Sequence, residues 1–147
     1  MQDNAIALTP APLLARFAVM IYESLLVTAV VFVASFIIIP IVGGLQAPWQ
    51  RHLFQVYILG IVFAYFSAFW LRSGQTLAMK TWRIRLVQQN GDTLTFRQAA
   101  LRFALALMGL LLAGIGFWWV FFDRDKQFLH DRLAGTRLIR VPRKIAT

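Results

Sequence analysis

The chain has no cysteine, and only 6 of its 147 residues are acidic. Without cysteine it has no disulfide, no thiol nucleophile and no cysteine-based metal site. Its two histidines, His52 and His130, lie in different predicted loops and are too few for a zinc cluster. The sequence also lacks a nucleophile–base pair and a phosphate-cradling glycine motif. We therefore expect no enzymatic activity, no metal site and no cofactor.

Charge is scarce and apolar residues are abundant. Hydrophobic residues make up 59% of the chain and charged residues 14%, whereas a soluble domain has about a quarter charged residues. This composition predicts an integral membrane protein. The net charge is +9, and the basic residues flank apolar runs, where they orient a membrane protein and contact anionic lipid headgroups. We therefore expect membrane lipids, and not nucleic acid, as the partner.

Two apolar runs are long enough to cross the roughly 30 Å hydrocarbon core of a bilayer. After a polar tail at 1–12, the first span covers about 17–39 and ends at Pro40, and the second covers 53–71. The first fifteen residues contain no Lys or Arg. We therefore expect the first run to stay in the mature protein and not to act as a signal peptide.

A basic connector at 72–98 carries strand and turn signals. Residues 82–87 alternate apolar and polar side chains, which is the period of a strand. Asn90-Gly91 is a strong turn signal, so residues 93–96 are predicted to return as a second strand. Residues 137–141 alternate in the same way and can add a third. The expected fold is mainly helical and polytopic, with a small cytoplasmic β-sheet.

The third apolar run, 103–122, raises a question of topology. The connector and the 123–147 tail are both strongly basic, and such segments prefer the cytoplasm. A full third span would separate them. Gly114 and Gly116 could turn the chain, so we favour a re-entrant hairpin over a plain span, with both termini cytoplasmic. The single domain then covers 13–141, with its closing block and strand at 127–141 and a basic tail at 142–147.

Glu23 is the only charge within the first span. A charged side chain at that depth costs roughly 3 kcal/mol on insertion scales, so an intramembrane acid points to function. Arg16 lies two helical turns earlier on the same face. We predict that the two are energetically coupled, directly or through one intermediary. Other polar side chains of the two spans could support them: Ser24, Thr28, Gln55 and Tyr57.

Two short blocks have the character of turns. In GQTLAMK, Gly74 frees the backbone after the second span, and Gln75 and Thr76 can cap a short helix. In HDRLAGT, Gly135 suits a left-handed position that ends a helical turn. Asp131 would lie on that turn as a structural ion-pair partner or as a site of chemistry. The arginines expected around Asp131 are Arg124, Arg132 and Arg137, and the rest of the block is His130 and Thr136.

Three segments together resemble the RDD family of small bacterial membrane proteins. They are RFAVMIYESLL, GQTLAMKTWRIRLVQQNGDTLTFRQAALR and HDRLAGTRLIRV, and the resemblance covers about residues 13 to 141. It places the family's arginine at Arg16 and its last aspartate at Asp131, while Glu23 stands at the first aspartate position. The resemblance implies a multi-pass protein of the bacterial inner membrane, and cation/proton exchange has been suggested for some members.

Two functions remain open. In the first, an oligomeric transporter of a cation, a proton or a small solute uses Glu23 as an intramembrane carboxylate. Few helices are available to surround a pathway, so this function implies a homo-oligomer. The small residues Gly60, Ala64 and Ala68 of the second span could form its seam. In the second, a non-transporting accessory protein binds anionic lipid or a partner protein through its basic cytoplasmic face.

Overall fold

Two long apolar helices dominate the computed structural model, which describes residues 9–112 and 114–142. Helix α1 runs from Leu13 to Ile41 and helix α2 from Pro48 to Arg72. Both are long and apolar enough to cross a membrane, which agrees with the predicted spans. Pro48 opens α2 at its first helical position, where the missing N–H has no intrahelical partner to lose. Pro40 lies one residue before the end of α1.

The connector after α2 contains a short helix and one strand. Helix α3 covers Leu77–Thr81, strand β1 covers Ile84–Gln88, and helix α4 follows at Phe96–Leu111. The predicted second strand at 93–96 is wrong. Thr95 and Gln98 form a capping box instead, in which each side chain accepts a hydrogen bond from the other's backbone N–H. The Thr-x-x-Gln capping signal therefore outweighs the alternation of side chains at this position.

The carboxyl-terminal strand pairs with β1, as predicted. Strand β2, Thr136–Arg140, runs antiparallel to β1 with Leu86 opposite Leu138. The third segment of the ladder is the amino-terminal tail. The N–H of Ala11 donates to the Leu138 carbonyl, and the N–H of Arg140 donates to the Thr9 carbonyl, both at 3.0 Å. The amino-terminal tail, the connector and the carboxyl-terminal strand therefore meet at one end of the molecule.

The third apolar run is bent. Helix α4 ends at Leu111, and helix α5 begins at Ile115 and continues as a 3-10 turn over Trp119–Phe121. The two arms make an angle of 105°, and Gly114 takes a left-handed φ of 76° at the turn. A Cβ added at Gly109 would lie 3.3 Å from the Cα of Gly116, so the arms pack backbone to backbone.

After this turn the chain returns to α4. Helix α6, Leu129–Leu133, packs against α4 and leads into β2. The third apolar run is therefore a bent helix pair, which fits either a broken span or a re-entrant segment.

The buried core lies at the sheet end of the long helices. Its members include Trp70, Ile84, Leu86, Phe128 and Leu138. By contrast, the outer surfaces of α1, α2 and α4 carry large exposed apolar side chains, which suits a lipid environment. The described part of α1 buries only four residues, and these are Arg16, Val19, Glu23 and Ala34. The two charged residues of α1, Arg16 and Glu23, are thus buried on its inner side.

Candidate functional site

One face of α1 carries the charged groups of the site. Arg16, Val19 and Glu23 are spaced three and four residues apart, so they lie on one side of the helix. Arg16 is 3% exposed and Glu23 is 8% exposed. Charged side chains are rarely so well buried unless they are paired or hydrogen-bonded. The partners of each therefore decide what the site can do.

Glu23 is held by two hydroxyl groups. The Tyr65 hydroxyl of α2 donates to Oε1 at 2.9 Å, and the Thr76 hydroxyl donates to Oε2. No Lys, Arg or His of the described residues forms a salt bridge with this carboxylate. Glu23 is thus a buried acid that is hydrogen-bonded but has no cationic partner in contact. It is also a point where α1, α2 and the start of α3 are joined.

The segment from Gly74 to Thr76 presents the second hydroxyl. Gly74 has a φ of 66°, and a Cβ there would collide with the Leu86 carbonyl oxygen. This close approach lets the Leu86 N–H donate to the Gly74 carbonyl at 2.7 Å, while the Gln75 amide donates to the Ile84 carbonyl at 2.8 Å. Thr76 caps α3 by accepting from the Met79 N–H. The motif therefore ties the Thr76 hydroxyl to both the strand and the carboxylate.

Arg16 binds a backbone carbonyl and not Glu23. Its guanidinium donates to the carbonyl oxygen of Lys126. Lys126 has a left-handed φ of 50°, in a turn closed by its N–H donating to the Asp123 carbonyl at 3.1 Å. The Asp123 carboxylate accepts from the Gln127 N–H and from Arg132, which holds this turn in place. Arg16 thus connects the start of α1 with the loop that precedes α6.

A buried ion pair joins α4 to α6. Arg102 Nη2 lies 2.6 Å from Asp131 Oδ1, and these residues are 5% and 1% exposed. The contact is an ion pair by distance, although its angles do not meet those of an aligned hydrogen bond at Oδ1. The Arg102 guanidinium also lies 4.7 Å from the ring centroid of Trp70, a cation–π contact. This cluster fixes α2, α4 and α6 relative to one another.

His130 is the neutral member of this cluster. It stacks on Phe128 with centroids 5.4 Å apart and meets the edge of Phe117 at 5.3 Å. Its Nε2 lies 3.6 Å from Asp131 Oδ1. Burial lowers the pKa of His130 to about 4; Asp131 opposes the shift, and Arg102 adds to it. The imidazole is therefore uncharged at neutral pH.

Two cavities meet at Arg16. The first, of about 650 Å³, lies between α1, α2 and α4; apolar side chains line most of it, and Arg16, Glu23, Arg102 and His130 line its polar part. The second, of about 910 Å³, is a polar groove by the sheet, and Arg16 and Leu138 line it as well. The basic residues of the groove are Arg16, Arg124, Lys126, Arg132 and Arg137. Arg16 is thus the charged residue that lines both the basic surface groove and the cavity that reaches Glu23.

The predicted site residues lie in two places: Glu23 contacts Thr76, and Asp131 contacts His130 in a separate cluster. Arg16 and Glu23 line one cavity but make no direct ion pair. The expected surroundings of Asp131 are wrong, because its partners are Arg102 and His130, while Arg132 bonds Asp123 and Arg137 donates to the Gln89 carbonyl. Neighbouring positions on a helix point about 100° apart, so Arg132 faces away from the cluster that Asp131 enters.

The supporting polar residues play minor parts. Ser24 and Thr28 each donate to a carbonyl of α1 itself. Ser24 and Gln55 line the cavity, whereas Thr28 and Tyr57 do not. Gly135 has the expected left-handed φ, 67°, and the Thr136 hydroxyl donates to the Asp131 carbonyl at 3.3 Å. In the described part of the chain, no group of three His, Asp or Glu side chains could hold a metal ion.

A sequence model of the RDD family matches residues 10–135, which is most of the chain. The chain belongs to the RDD family. An uncharacterized protein of Rickettsia prowazekii (strain Madrid E) is 32% identical over 81 residues, which is 54% of this chain and 44% of that protein. The match thus spans less than half the length of that curated relative. No solved structure matches the chain. Family membership and the two apolar helices together indicate a membrane protein.

Membership of the RDD family was predicted from motifs that the structure places around the cavity. Two residues that contact the predicted site residues, Tyr65 and Arg102, were not predicted as part of the site. Tyr65 was not anticipated, since an aromatic residue in an apolar helix gives no local signal of a hydroxyl contact. Arg102 was treated as one of several connector arginines. It does share a signal with Arg16, because each directly precedes a phenylalanine at the start of an apolar run.

Proposed function

We propose that this RDD-family protein is a membrane transport protein in which Glu23 binds and releases a proton. The observation that carries this proposal is the state of the Glu23 carboxylate. It is buried in an apolar helix and borders a cavity, and it accepts two hydroxyl hydrogen bonds with no cation of residues 9–112 and 114–142 in contact. A buried acid in an apolar helix is energetically costly, so its presence by default indicates a function.

A proton suits this site better than a metal cation. Hard cations such as Ca²⁺ and Mg²⁺ take six or more oxygen ligands. The described surroundings of Glu23 offer its own carboxylate and the hydroxyls of Tyr65 and Thr76. A proton needs one carboxylate oxygen, and either hydroxyl can rotate to accept from the protonated acid. Movement of this proton coupled to that of a second solute is the transport reaction that we propose.

Arg16 is in a position to control access to Glu23. It lines both the basic groove and the apolar cavity, so a proton that moves from the groove to Glu23 would pass beside it. Its bond to the carbonyl of Lys126, a residue of the groove, holds the guanidinium in place. We propose that release of this bond opens the path from the groove.

We further propose that the groove, the sheet and both termini are cytoplasmic in a bacterial inner membrane, because the basic residues gather at that end. Cysteines placed at Gln89 and Arg140 should then resist an impermeant thiol reagent in sealed right-side-out cells, and one at Gln46 should react. Reaction at both Gln89 and Gln46 would refute this topology.

A homo-oligomer is part of the proposal, because two long helices and a bent pair are few to enclose a pathway. Gly60, Ala64 and Ala68 are exposed along α2 and could let a second copy approach closely. A cysteine at Ala64 should form a disulfide-linked dimer on mild oxidation, whereas one at exposed Val56 should not. Equal cross-linking at both positions would remove α2 as the seam.

The test of transport is a flux measurement on purified protein in sealed vesicles that contain a pH-sensitive dye. A pH gradient with and without Na⁺ or K⁺ should drive proton movement in wild type. Glu23→Gln should abolish this movement while the protein stays folded and monodisperse. Asp92→Asn is the matched control, since Asp92 is exposed and lines neither the cavity nor the groove, and it should retain flux. If both variants retain flux, Glu23 is not the proton site.

The accessory function has one observation in its favour, the basic groove. Arg124, Lys126 and Arg132 are exposed there beside Asp125, and each basic residue near an anionic membrane contributes roughly 1 kcal/mol. If wild type shows no flux under any gradient but binds anionic vesicles, and Arg124→Gln with Lys126→Gln weakens that binding, the accessory function replaces transport.

A further inference from the structure

We infer that the cavity between α1, α2 and α4 binds a single-chain amphiphile with a singly charged anionic head, and that this binding takes up one proton at Glu23. The first half of the inference goes beyond the proposed function. The second half rests on the proposed proton site and names the substrate class with which the proton would move.

The shape and lining of the cavity fit one acyl chain. Its volume of about 650 Å³ falls within the roughly 300–1,000 Å³ of sites that bury a drug-sized ligand. One long acyl chain is of that size, and a whole two-chain lipid is larger. Away from the polar end the walls are aliphatic or aromatic, and they include Val27, Val31, Ile58, Val62 and Leu107.

The polar end of the cavity has hydrogen-bond donors without partners. Arg16 Nε, Arg102 Nε and Trp70 Nε1 are buried and have no hydrogen-bond partner among the described residues. All three residues line the cavity, and each is at least 95% buried. An unmade hydrogen bond on a buried group is costly. Because all three orphan atoms are donors, the missing partner is an acceptor, and two of them belong to cations, which favours an anionic head.

The charge balance at this end explains the proton. Arg16 and Arg102 carry two positive charges, and Glu23 and Asp131 carry two negative charges. His130 is neutral, and Tyr65 is neutral because it donates its hydroxyl hydrogen. A carboxylate ligand would leave one uncompensated negative charge in an apolar site, which is expensive. Protonation of Glu23 removes that charge, since Asp131 is already in contact with Arg102.

The cavity opens sideways. Ser24, Gln55, Leu59 and Leu110 line it and are also exposed, so its mouth lies on the apolar outer surface of the helices. An amphiphile dissolved in the bilayer would reach the site from the lipid phase, with its head directed toward Arg16.

The first experiment measures binding of radiolabelled palmitate, hexadecanesulfonate and hexadecanol to the full-length protein in detergent. Both anions should bind at least tenfold more tightly than hexadecanol. Equal affinity for the alcohol would overturn the inference of an anionic head. Ile58→Phe fills the cavity wall and should weaken palmitate binding at least tenfold. Its matched control, Val56→Phe, places the same ring on the outer surface and should leave binding unchanged. Equal effects of the two variants would overturn the cavity as the site.

The second experiment tests the proton. Hexadecanesulfonate stays charged at all working pH values, so any pH dependence of its affinity belongs to the protein. If binding takes up one proton, the affinity for hexadecanesulfonate should fall as the pH rises from 6 to 8, by up to about tenfold per pH unit. Glu23→Gln should bind the sulfonate tightly and equally at both values. An unchanged pH dependence in that variant would overturn the second half of the inference.

A direct count of protons guards against a variant that does not fold. Mixing wild-type protein with hexadecanesulfonate in weakly buffered solution should take up protons in proportion to the ligand bound, up to one per ligand, and no uptake at any pH from 6 to 8 would refute the linkage. Failure of the proposed transport can be told apart from failure of the ligand site. Specific palmitate binding without flux in vesicles would leave the ligand site standing and contradict transport. Flux without palmitate binding would leave transport standing and contradict the ligand site.

Discussion

Removal of the carboxylate of Asp131 should be the most damaging single substitution at the core. Asp131 and Arg102 lie 2.6 Å apart and are almost completely buried. Asp131→Leu leaves the guanidinium buried without its counter-charge, and breaking such a pair costs about 3–5 kcal/mol. The ring contact with Trp70 persists, but a cation–π contact contributes only about 0.5–2 kcal/mol and does not replace the charge.

Adding Arg102→Leu to Asp131→Leu should restore much of the lost unfolding free energy. In Arg102→Leu with Asp131→Leu no charge is left unpaired, and replacement of a whole buried ion pair by apolar residues is often neutral. We expect a coupling free energy of at least about 2 kcal/mol in a double-mutant cycle on unfolding in detergent. Asp125→Asn is the control, because Asp125 is exposed and 3.8 Å from Arg132, and such pairs contribute about 0–1 kcal/mol. Additivity within about 0.5 kcal/mol would refute the ion pair as a stabilising contact.

Three further substitutions test individual contacts. Tyr65→Phe removes a hydrogen bond to charged Glu23 and should cost about 1.5–3 kcal/mol of unfolding free energy; no measurable loss would contradict that bond. The pKa of His130 is about 4 in the folded protein and about 6.5 in the unfolded chain. The neutral imidazole therefore contributes its full share to the free energy of unfolding above pH 6.5, and this share should fall by about 3 kcal/mol toward pH 4. His130→Gln should flatten this part of the curve of stability against pH. Gly74→Ala should destabilise by more than about 1 kcal/mol because its φ is positive and its Cβ meets a strand carbonyl, whereas Gly60→Ala, with open space around it, should not.

Features that depend on nearby residues could be predicted from the sequence. The two long helices follow from uninterrupted apolar runs, and β1 and β2 follow from their alternation. Gly74 and Gly135 were predicted at turns because only glycine adopts a left-handed φ without strain, and both have one. The strand predicted at 93–96 failed because two local signals competed and the capping box at Thr95 prevailed.

Partners brought together by tertiary packing could not be predicted. Tyr65 and Thr76 meet Glu23 from 42 and 53 residues away along the chain. Asp131 was expected to pair with arginines near it in sequence, and its partner is Arg102, from another helix. With six acids among fifteen basic residues, every acid has several candidate cations, and only the packing of helices selects one.

We propose that Glu23 takes up and releases a proton within the apolar helices. An infrared pH titration of purified protein in lipid vesicles tests it most directly, through the carbonyl stretching band of a protonated carboxylic acid. We predict that such a band appears as the pH falls, disappears in Glu23→Gln, moves to higher frequency in Tyr65→Phe through loss of a hydrogen bond, and persists in Asp125→Asn. A band that remains unchanged in Glu23→Gln would show that the titrating acid lies elsewhere and would contradict the claim.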